Sequence, residues 1–221
     1  MKRIAIAIML IVACANAFSQ SSGWSRKNGA VFMTQSSDTS KVRNNINVPT
    51  HTKYVSPFYS GWVAPYYSDL STAVTAASAG DVILVFPGSY SAFTVAVDSL
   101  TIMGFQAPAF DSTTGTLRGG VIVNGTSSSV GAKSFRMENV GIQKTTAAGD
   151  VYKTGSNNLG LVRLHHTYNN CIFVGSAWDN GYHAFLIQGG KDFTLNEISV
   201  YRSSHGIAIR GSDVNASNLY I

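Results

Sequence analysis

The chain has 221 residues, of which 45% are hydrophobic and 12% are charged, with 21 glycines and a net charge of +5. This length allows one domain with a sizeable core plus a shorter additional segment, and the glycines favour a structure with many turns. The eleven acidic residues are few and scattered, which argues against an acidic catalytic cluster or a carboxylate metal cage. The sequence contains no basic run and no basic patch interleaved with aromatics, so it does not predict nucleic-acid binding.

The first 17 residues have the layout of a secretory signal peptide. Lys2 and Arg3 precede an apolar run over residues 4–13, and the small residues of the Ala-Asn-Ala at 15–17 follow. These ten apolar residues are too few to span a bilayer, so we expect cleavage after residue 17 and an extracellular, periplasmic or cell-surface location. The alternative is a lipoprotein anchored to the membrane, because residues 11–14 (IVAC) resemble a lipoprotein box with Cys14 as the lipidated residue.

Residues 18–67 differ in composition from the remainder and are rich in Ser, Asn and Thr. Within them, GWSRKNGAV (residues 23–31) resembles short strand segments of bacteriophage tail fibres and adhesins. The simpler interpretation is a linker that packs an edge strand or two onto the following domain.

A short amphipathic helix is predicted over residues 69–79. Leu70, Val74 and Ala77 recur at helical spacing behind a cap at Asp69, and Gly80 is a natural stop. The strand DVILVFPG (81–88) follows at once, and the strand VAVDSLTIMGF (95–105) comes after a turn.

Two stretches near the C-terminus, His183–Val200 and His205–Ile221, repeat each other about twenty-two residues apart. With one residue gapped, the matched pairs are His183 with His205, Phe185 with Ile207, Ile187 with Ile209, Gly189 with Gly211, Phe193 with Val214, Leu195 with Ala216, Glu197 with Asn218, Ile198 with Leu219 and Val200 with Ile221. A self-match of this kind indicates stacked repeats, and the alternation of apolar and polar residues indicates strands.

Two earlier stretches carry the second half of the same pattern. The first has Phe135, Met137, Val140 and Ile142 as its apolar positions, and the second, with an insertion, has Val162, Leu164, Cys171 and Phe173. Asn139, Asn170 and Asn218 close these units, so we expect them to align at one turn, where each amide bonds its neighbour or the turn backbone. Cys171 stands at an apolar position, which predicts a buried thiol.

The stretch AVTAASAGDVILVFPGSY (73–90), followed by SLTIMG (99–104), resembles the N-terminal part of the pectin-lyase-like right-handed parallel β-helices. Over residues 68–221 the resemblance implies an all-β solenoid of this kind, whose open N-terminal end is capped by the short helix. The inward positions of such a solenoid would include Val82, Leu84, Ile102, Val140, Ile187, Ile198, Ile209 and Leu219.

The resemblance implies less about chemistry. Family members that cleave polygalacturonate carry paired aspartates or calcium-binding aspartate clusters, whereas here Asp179 stands alone near His205 and Arg210. These three are the candidate catalytic residues if the chain is a polysaccharide lyase or glycoside hydrolase. Calcium is implied by the resemblance only, and no residue spacing predicts a metal site. The simpler interpretation of His183 and His205 is a pair of stacked histidines that bond backbone at a turn.

A binding surface has better support than a catalytic site. The insertion at residues 175–183 presents Trp178, Asp179 and Tyr182 on a loop, and strand alternation directs Gln188 and Arg210 outward beside it. Aromatic faces next to polar and charged groups are typical of sugar-binding sites. We therefore expect an exported protein that binds a polysaccharide or cell-surface glycan, although Trp178 could instead fill the loop's own small core.

The end of the sequence adds a third interpretation. Ile221 completes a repeat, and the apolar rim of that repeat needs a cover for solubility. We expect either further repeats beyond it or self-association through it. A tailspike-like receptor-binding fragment of a phage would also fit this arrangement.

Overall fold

The computed structural model describes residues 51–59, 64–144, 149–156, 163–176 and 182–220, all of which belong to the unit Pro49–Ile221. The signal-like residues 1–17, Cys14 and most of residues 18–67 lie outside the described residues. The described elements are β1 (Thr52–Val55), β2 (Tyr66–Tyr67), α1 (Leu70–Thr75), β3 (Val82–Val85), β4 (Gly88–Ser91), β5 (Thr101–Gly104), β6 (Ala109–Asp111), β7 (Thr116–Arg118), β8 (Val121–Asn124), β9 (Ser127–Val130), β10 (Arg136–Glu138), β11 (Val140–Gln143), β12 (Tyr152–Gly155), β13 (Arg163–Val174), β14 (His183–Tyr201) and β15 (His205–Tyr220).

The protein is mostly β, and thirteen of the described strands join one sheet in which every pairing is parallel. The pairings arrange the strands in three rows. The first row contains β2, β1, β3, β5, β10 and then the middle segments of β13, β14 and β15. The second row contains β4, β8, β11 and the end segments of the three long strands. The third row contains β9, β12 and the first segments of β14 and β15.

The chain visits the rows in the same order each time, and each passage is called a repeat below. In the last two repeats His183 pairs with His205, Phe185 with Ile207, Ile187 with Ile209, Phe193 with Val214, Leu195 with Ala216 and Ile198 with Leu219. A register shift after Gly190 stands where the sequence match needed its one-residue gap. The predicted self-match is therefore a structural register between stacked strands.

The apolar residues between the rows form the core. Ile102, Val140, Ile187 and Ile198 are fully buried, as the alternation predicted. Ile209 and Leu219 pair in register with the buried Ile187 and Ile198 and so hold the predicted inward positions, but they are 48% and 38% exposed. Both lie in β15, which among the described strands pairs with β14 alone, so no further strand covers its apolar side.

The predicted inward positions of β3 are wrong by one residue. Ile83 and Val85 are fully buried, whereas Val82 and Leu84 are only half-buried. Asp81 determines which residues of β3 face inward. It is 1% exposed, and its carboxylate binds the Lys53 ammonium and the Ser78 backbone N–H. Strand residues alternate between two faces, so a buried Asp81 places residues 83 and 85 on the same inner side.

Helix α1 is shorter than the predicted span of residues 69–79. It begins after Asp69, whose side chain accepts from the Ser71 N–H, and it ends at Thr75. Leu70, Ala73 and Val74 are buried against the first strands. The helix does not continue, because the Ser78 N–H donates to the Asp81 carboxylate and the Asp81 N–H donates to the Ser78 carbonyl. A longer helix would need these N–H groups to bond carbonyls one turn earlier in the chain.

The asparagine turn between the first and second rows was predicted in part. Asn139, Asn170 and Asn218 have φ of +56°, +50° and +52°, a left-handed conformation that asparagine tolerates well. The Asn170 amide donates to Asn139 Oδ1 at 2.8 Å, and the Asn139 amide donates to the Gly104 carbonyl. Glu197 occupies the same position with φ of +54° and interrupts the column, so Asn218 bonds Asn196 instead.

Strands β6 and β7 form an antiparallel hairpin that the sequence interpretation did not contain. The hairpin lies between β5 and β8, within the residues 68–221 for which the resemblance implied a parallel solenoid. Phe110 on this hairpin stacks on Tyr201 with ring centroids 4.0 Å apart, and Arg202 donates to the Gly115 carbonyl. The hairpin is thus anchored to a later repeat.

The β13 repeat needs no insertion, so the predicted alignment of Val162 and Leu164 with Phe135 and Met137 is wrong. Met137 pairs with Tyr168, so His166 and Tyr168 are the inward residues at this level. Val162 lies outside the described residues. Leu164 is buried in the core, two residues before His166. Of the neighbouring histidines His166 is fully buried and His165 is exposed, as expected for adjacent strand residues.

The core holds a closed network of hydroxyls around His166. The Tyr168 hydroxyl donates to Thr154 Oγ1 at 2.7 Å, and Thr154 Oγ1 lies 2.7 Å from His166 Nδ1. Since His166 Nε2 lies 2.7 Å from the Ala132 carbonyl, Nε2 carries the proton and Nδ1 accepts from Thr154. Ser129 and Tyr152 complete the network, so each of its polar groups is bonded.

Cys171 is fully buried, as its place in the repeat predicted, and burial raises the pKa of its thiol to about 12. Its Sγ lies against the Asn169 and Met137 carbonyls. None of the described helices has the length and apolar character needed to cross a membrane.

Candidate functional site

The candidate site lies where successive repeats enter the third row. Asp150 immediately precedes Val151, whose N–H donates to the His183 carbonyl, and His183 pairs with His205 in the next repeat. Asp150, His183 and His205 therefore form a column across three stacked strands. The rings of the two histidines lie 5.4 Å apart, which is close to the spacing of neighbouring strands.

Asp150 fixes the orientation of His183. Its Oδ1 accepts from the His183 backbone N–H and from His183 Nδ1, each at 2.9 Å. The Nδ1 atom therefore carries the proton, and Nε2 keeps its lone pair when the ring is neutral. Arg210 reaches this lone pair, since its Nη2 lies 3.4 Å from His183 Nε2.

A shallow surface depression adjoins this column. It is lined by Gly149, Val151, Gly175, Ser176, Tyr182, His183 and Ser203. Tyr182 is 40% exposed, and Ser203 and Ser204 both donate to its carbonyl, which holds the chain after β14 against the start of the strand. Polar groups and an exposed aromatic ring thus line the depression, and Arg210 contacts His183 at its border.

The structure brings together part of the predicted site. His205 belongs to the column, Tyr182 immediately precedes His183, and Arg210 contacts His183. Gln188 pairs with Arg210 in register on the outward side of the third row. Gln188 is half-buried and Arg210 is exposed, as strand alternation predicted. Trp178 and Asp179 lie outside the described residues.

The sequence interpretation missed Asp150 and assigned His183 a backbone partner. His183 bonds a carboxylate 33 residues earlier in the chain. The signal was present in Gly149-Asp150-Val151-Tyr152, because aligning Tyr152 with Phe185 places Asp150 opposite His183, in the histidine column itself. A comparison of the sequence with itself does not match aspartate with histidine, because the two residues are chemically dissimilar. The Asp150–His183 pair is recognised only when the strand register is known.

The donor set determines which chemistry the site can support. One exposed guanidinium and two imidazoles favour an anionic or hydroxyl-rich ligand. Among the described residues no group of three or more His, Cys, Asp or Glu side chains is arranged to hold a metal ion. A carboxylate-oriented imidazole beside an arginine is also an arrangement that can accept a proton from a bound substrate.

Comparison of the chain with protein-family models, curated proteins and solved structures gave no match.

Proposed function

We propose that the chain is an exported right-handed parallel β-helix that binds a polysaccharide or cell-surface glycan carrying acidic groups. The binding surface contains Tyr182, His183, His205 and Arg210, and is called the Arg210 surface below. The glycan would lie across the third row beside the outward Gln188, and Trp178 and Asp179 are further contacts that the sequence alone predicts.

The β-helix proposal is supported by the three parallel rows and their repeated register. Each return from one repeat to the next is a strand–crossover–strand connection between parallel neighbours, and such connections are right-handed in about 98% of cases. The packing of α1 on β1 to β4 agrees with a cap at the N-terminal end. Export is supported by the signal-like residues 1–17.

The single observation that carries the glycan proposal is the position of Arg210. Arg210 is exposed and its Nη2 lies 3.4 Å from Nε2 of His183, whose ring lies 5.4 Å from that of His205 and which also lines the depression beside Tyr182. A guanidinium keeps its charge at all ordinary pH values and pairs with carboxylate or sulfate in two hydrogen bonds. The exposed Tyr182 ring offers the apolar face that sugar C–H groups contact.

The test is binding of the mature chain to an acidic polysaccharide (polygalacturonate) and a neutral one (dextran), each measured by affinity electrophoresis. We expect Arg210→Ala to weaken binding to the acidic polymer by about 1 to 3 kcal/mol, and added salt to have the same effect. Tyr182→Ala should weaken binding to any bound glycan, whether charged or neutral. The matched control is Arg163→Ala, which removes an exposed arginine from another part of the surface. Equal binding by all three variants would refute the proposal.

A polysaccharide lyase is the second candidate, and the Asp150–His183–Arg210 arrangement is the observation that favours it. Asp150 would hold His183 so that Nε2 accepts the proton from the carbon next to a uronate carboxylate, while Arg210 neutralises that carboxylate. The electron pair of the broken C–H bond would then form a carbon–carbon double bond as the neighbouring glycosidic C–O bond breaks, and the departing sugar oxygen would take a proton from water. Ultraviolet absorbance of unsaturated product ends would detect turnover. Turnover abolished by His183→Ala supports a lyase, whereas binding without turnover supports the glycan-binding proposal.

A further inference from the structure

The Arg210 surface and Asp150 together carry no net formal charge while both imidazoles and the Tyr182 phenol are uncharged. Asp150 contributes one negative charge and Arg210 one positive charge, and these two charges cancel. An anionic glycan gains little electrostatic attraction from such a neutral group of side chains. The protonation of the imidazoles of His183 and His205 therefore decides whether this surface attracts an anion.

His183 faces charged and titratable groups from three parts of the chain. Before β12, Asp150 Oδ1 accepts from His183 Nδ1 at 2.9 Å. From β15, Arg210 Nη2 lies 3.4 Å from His183 Nε2, and the His205 ring lies 5.4 Å from the His183 ring. On β12, Lys153 lies in register three residues beyond His183 along β14. His183 thus has a carboxylate at one ring nitrogen and a guanidinium at the other.

The contact between His183 and Arg210 requires a neutral imidazole. Because Nδ1 carries the proton that Asp150 accepts, Nε2 offers a lone pair to the Arg210 guanidinium. A second proton on Nε2 would give both sides of this contact a donor and a positive charge, so the contact would be lost. The neutral ring therefore keeps Arg210 engaged, and His183 beneath it is only 8% exposed.

Protonation of His183 turns the same two groups into a receptor for anionic oxygens. Nε2–H and the Arg210 guanidinium are then neighbouring charged donors, and one carboxylate or sulfate group can accept from both. Asp150 still accepts from Nδ1, so the ring keeps its orientation and Nε2–H keeps its direction towards Arg210. The formal charge of the group rises from zero to +1.

We propose that His183 makes the Arg210 surface selective for anionic glycans, and that each uronate or sulfate group bound between His183 and Arg210 is accompanied by one proton taken up at His183 Nε2. This inference rests on the proposed glycan binding and adds to it the ligand class and the protonation state of the site. Binding of anionic glycans is therefore stronger at mildly acidic pH than at mildly alkaline pH. A neutral glycan takes up no proton.

The test is isothermal titration calorimetry of the mature chain with a galacturonate trimer at about pH 8, 7 and 6, in two buffers that differ in their heat of ionisation. Carboxylates remain ionised in this range, so a proton that enters the complex is taken up by the protein. We expect an uptake that approaches one proton per bound trimer. The affinity should rise about tenfold to a hundredfold from pH 8 to pH 6, since one linked proton gives at most tenfold per pH unit. Dextran sulfate should show the same rise and dextran none.

Three variants assign the proton to one residue. His183→Asn keeps a donor for Asp150 but has no titrating group, so its affinity should not change with pH and its proton uptake should be absent. His205→Asn should retain the proton uptake even where it weakens binding. His165→Asn is the matched control, because His165 is exposed beside Asp192 on β13, and it should behave as the wild type.

Trimer binding without proton uptake would overturn this inference and leave the proposed function standing. Proton uptake that persists in His183→Asn and disappears in His205→Asn would also overturn it. A chain that binds neither the trimer nor either dextran at any of the three pH values would refute the proposed function, and this inference with it. Far-ultraviolet circular dichroism of each variant at each pH shows whether a loss of binding is a loss of the fold.

Discussion

His166 makes the stability of this protein depend on pH between about pH 7 and pH 4, and replacing it should remove that dependence. Burial in the core lowers the pKa of His166 from 6.5 to about 4, since the imidazole is fully enclosed and hydrogen-bonded in its neutral form. In the unfolded chain the ring regains its ordinary pKa. Between these two pKa values the unfolded state binds a proton that the folded state does not, so stability falls as the pH falls.

The magnitude follows from the size of the shift. Each unit of pKa difference corresponds to about 1.4 kcal/mol, so the free energy of unfolding should drop by about 2 kcal/mol from pH 7 to pH 5, and by about 3 kcal/mol at pH 4. Two carboxylates with lowered pKa, Asp69 and Asp81, titrate at more acidic pH. Their contribution is lost mainly below about pH 4, so the expected change between pH 7 and pH 5 is that of His166.

The assay is urea unfolding of the wild type and of His166→Gln at about pH 7, 6 and 5. Glutamine can donate to the Ala132 carbonyl and accept from Thr154, so the variant keeps a bonded core without a titrating ring. We expect the variant to be less stable at pH 7 but to lose little more by pH 5. His165→Asn is the matched control, because His165 is exposed beside Asp192. An unchanged pH dependence in His166→Gln would refute the reasoning.

Three further predictions concern stability and reactivity. Asp81→Asn should cost about 3 to 5 kcal/mol in urea unfolding because it leaves the Lys53 ammonium buried without its carboxylate, and a cost below about 1 kcal/mol would contradict this. Glu197→Asn should stabilise the protein by about 0.5 to 1 kcal/mol, since asparagine tolerates the left-handed conformation at this position, and Glu197→Gln should bring no such gain. Cys171 should react with a thiol reagent only when the protein unfolds, and labelling in the native state would show that it is not buried as described.

The repeat was predictable because stacking in register makes each residue's neighbour the equivalent residue of the next strand. Ile187 and Ile209, and likewise Ile198 and Leu219, matched in sequence before they were found paired in the structure. The inward phase of β14 followed directly from the same alternation. A self-match does not show which strands have a neighbouring strand on both sides. The exposure of Ile209 and Leu219 was therefore not predicted.

Buried polar residues account for the other errors. All four residues of β3, Val82–Val85, are apolar, so the sequence did not show which two of them face inward. The buried Asp81 places Ile83 and Val85 on the inner side. His166 and Tyr168 took inward positions that a search for apolar residues could not assign to them. In both places the cost of burial is offset by hydrogen bonds from distant parts of the chain, which no local pattern contains.

At the candidate site, Asp150 is another residue whose partner no local sequence pattern reveals. The role of Asp150 can be measured through the tautomer of His183. The carboxylate accepts from His183 Nδ1 while the Arg210 guanidinium lies at Nε2, so both neighbours favour the ring form protonated at Nδ1. We expect long-range proton–nitrogen NMR of the neutral ring to show a proton on Nδ1 in the wild type. Asp150→Asn keeps an oxygen acceptor and should preserve this tautomer, whereas Asp150→Ala removes the acceptor and should shift the proton towards Nε2. Only the Nδ1-protonated ring directs a lone pair to Arg210 and the surface beyond it, so a proton found on Nε2 in the wild type would remove His183 as a proton acceptor and leave the glycan-binding proposal as the stronger one.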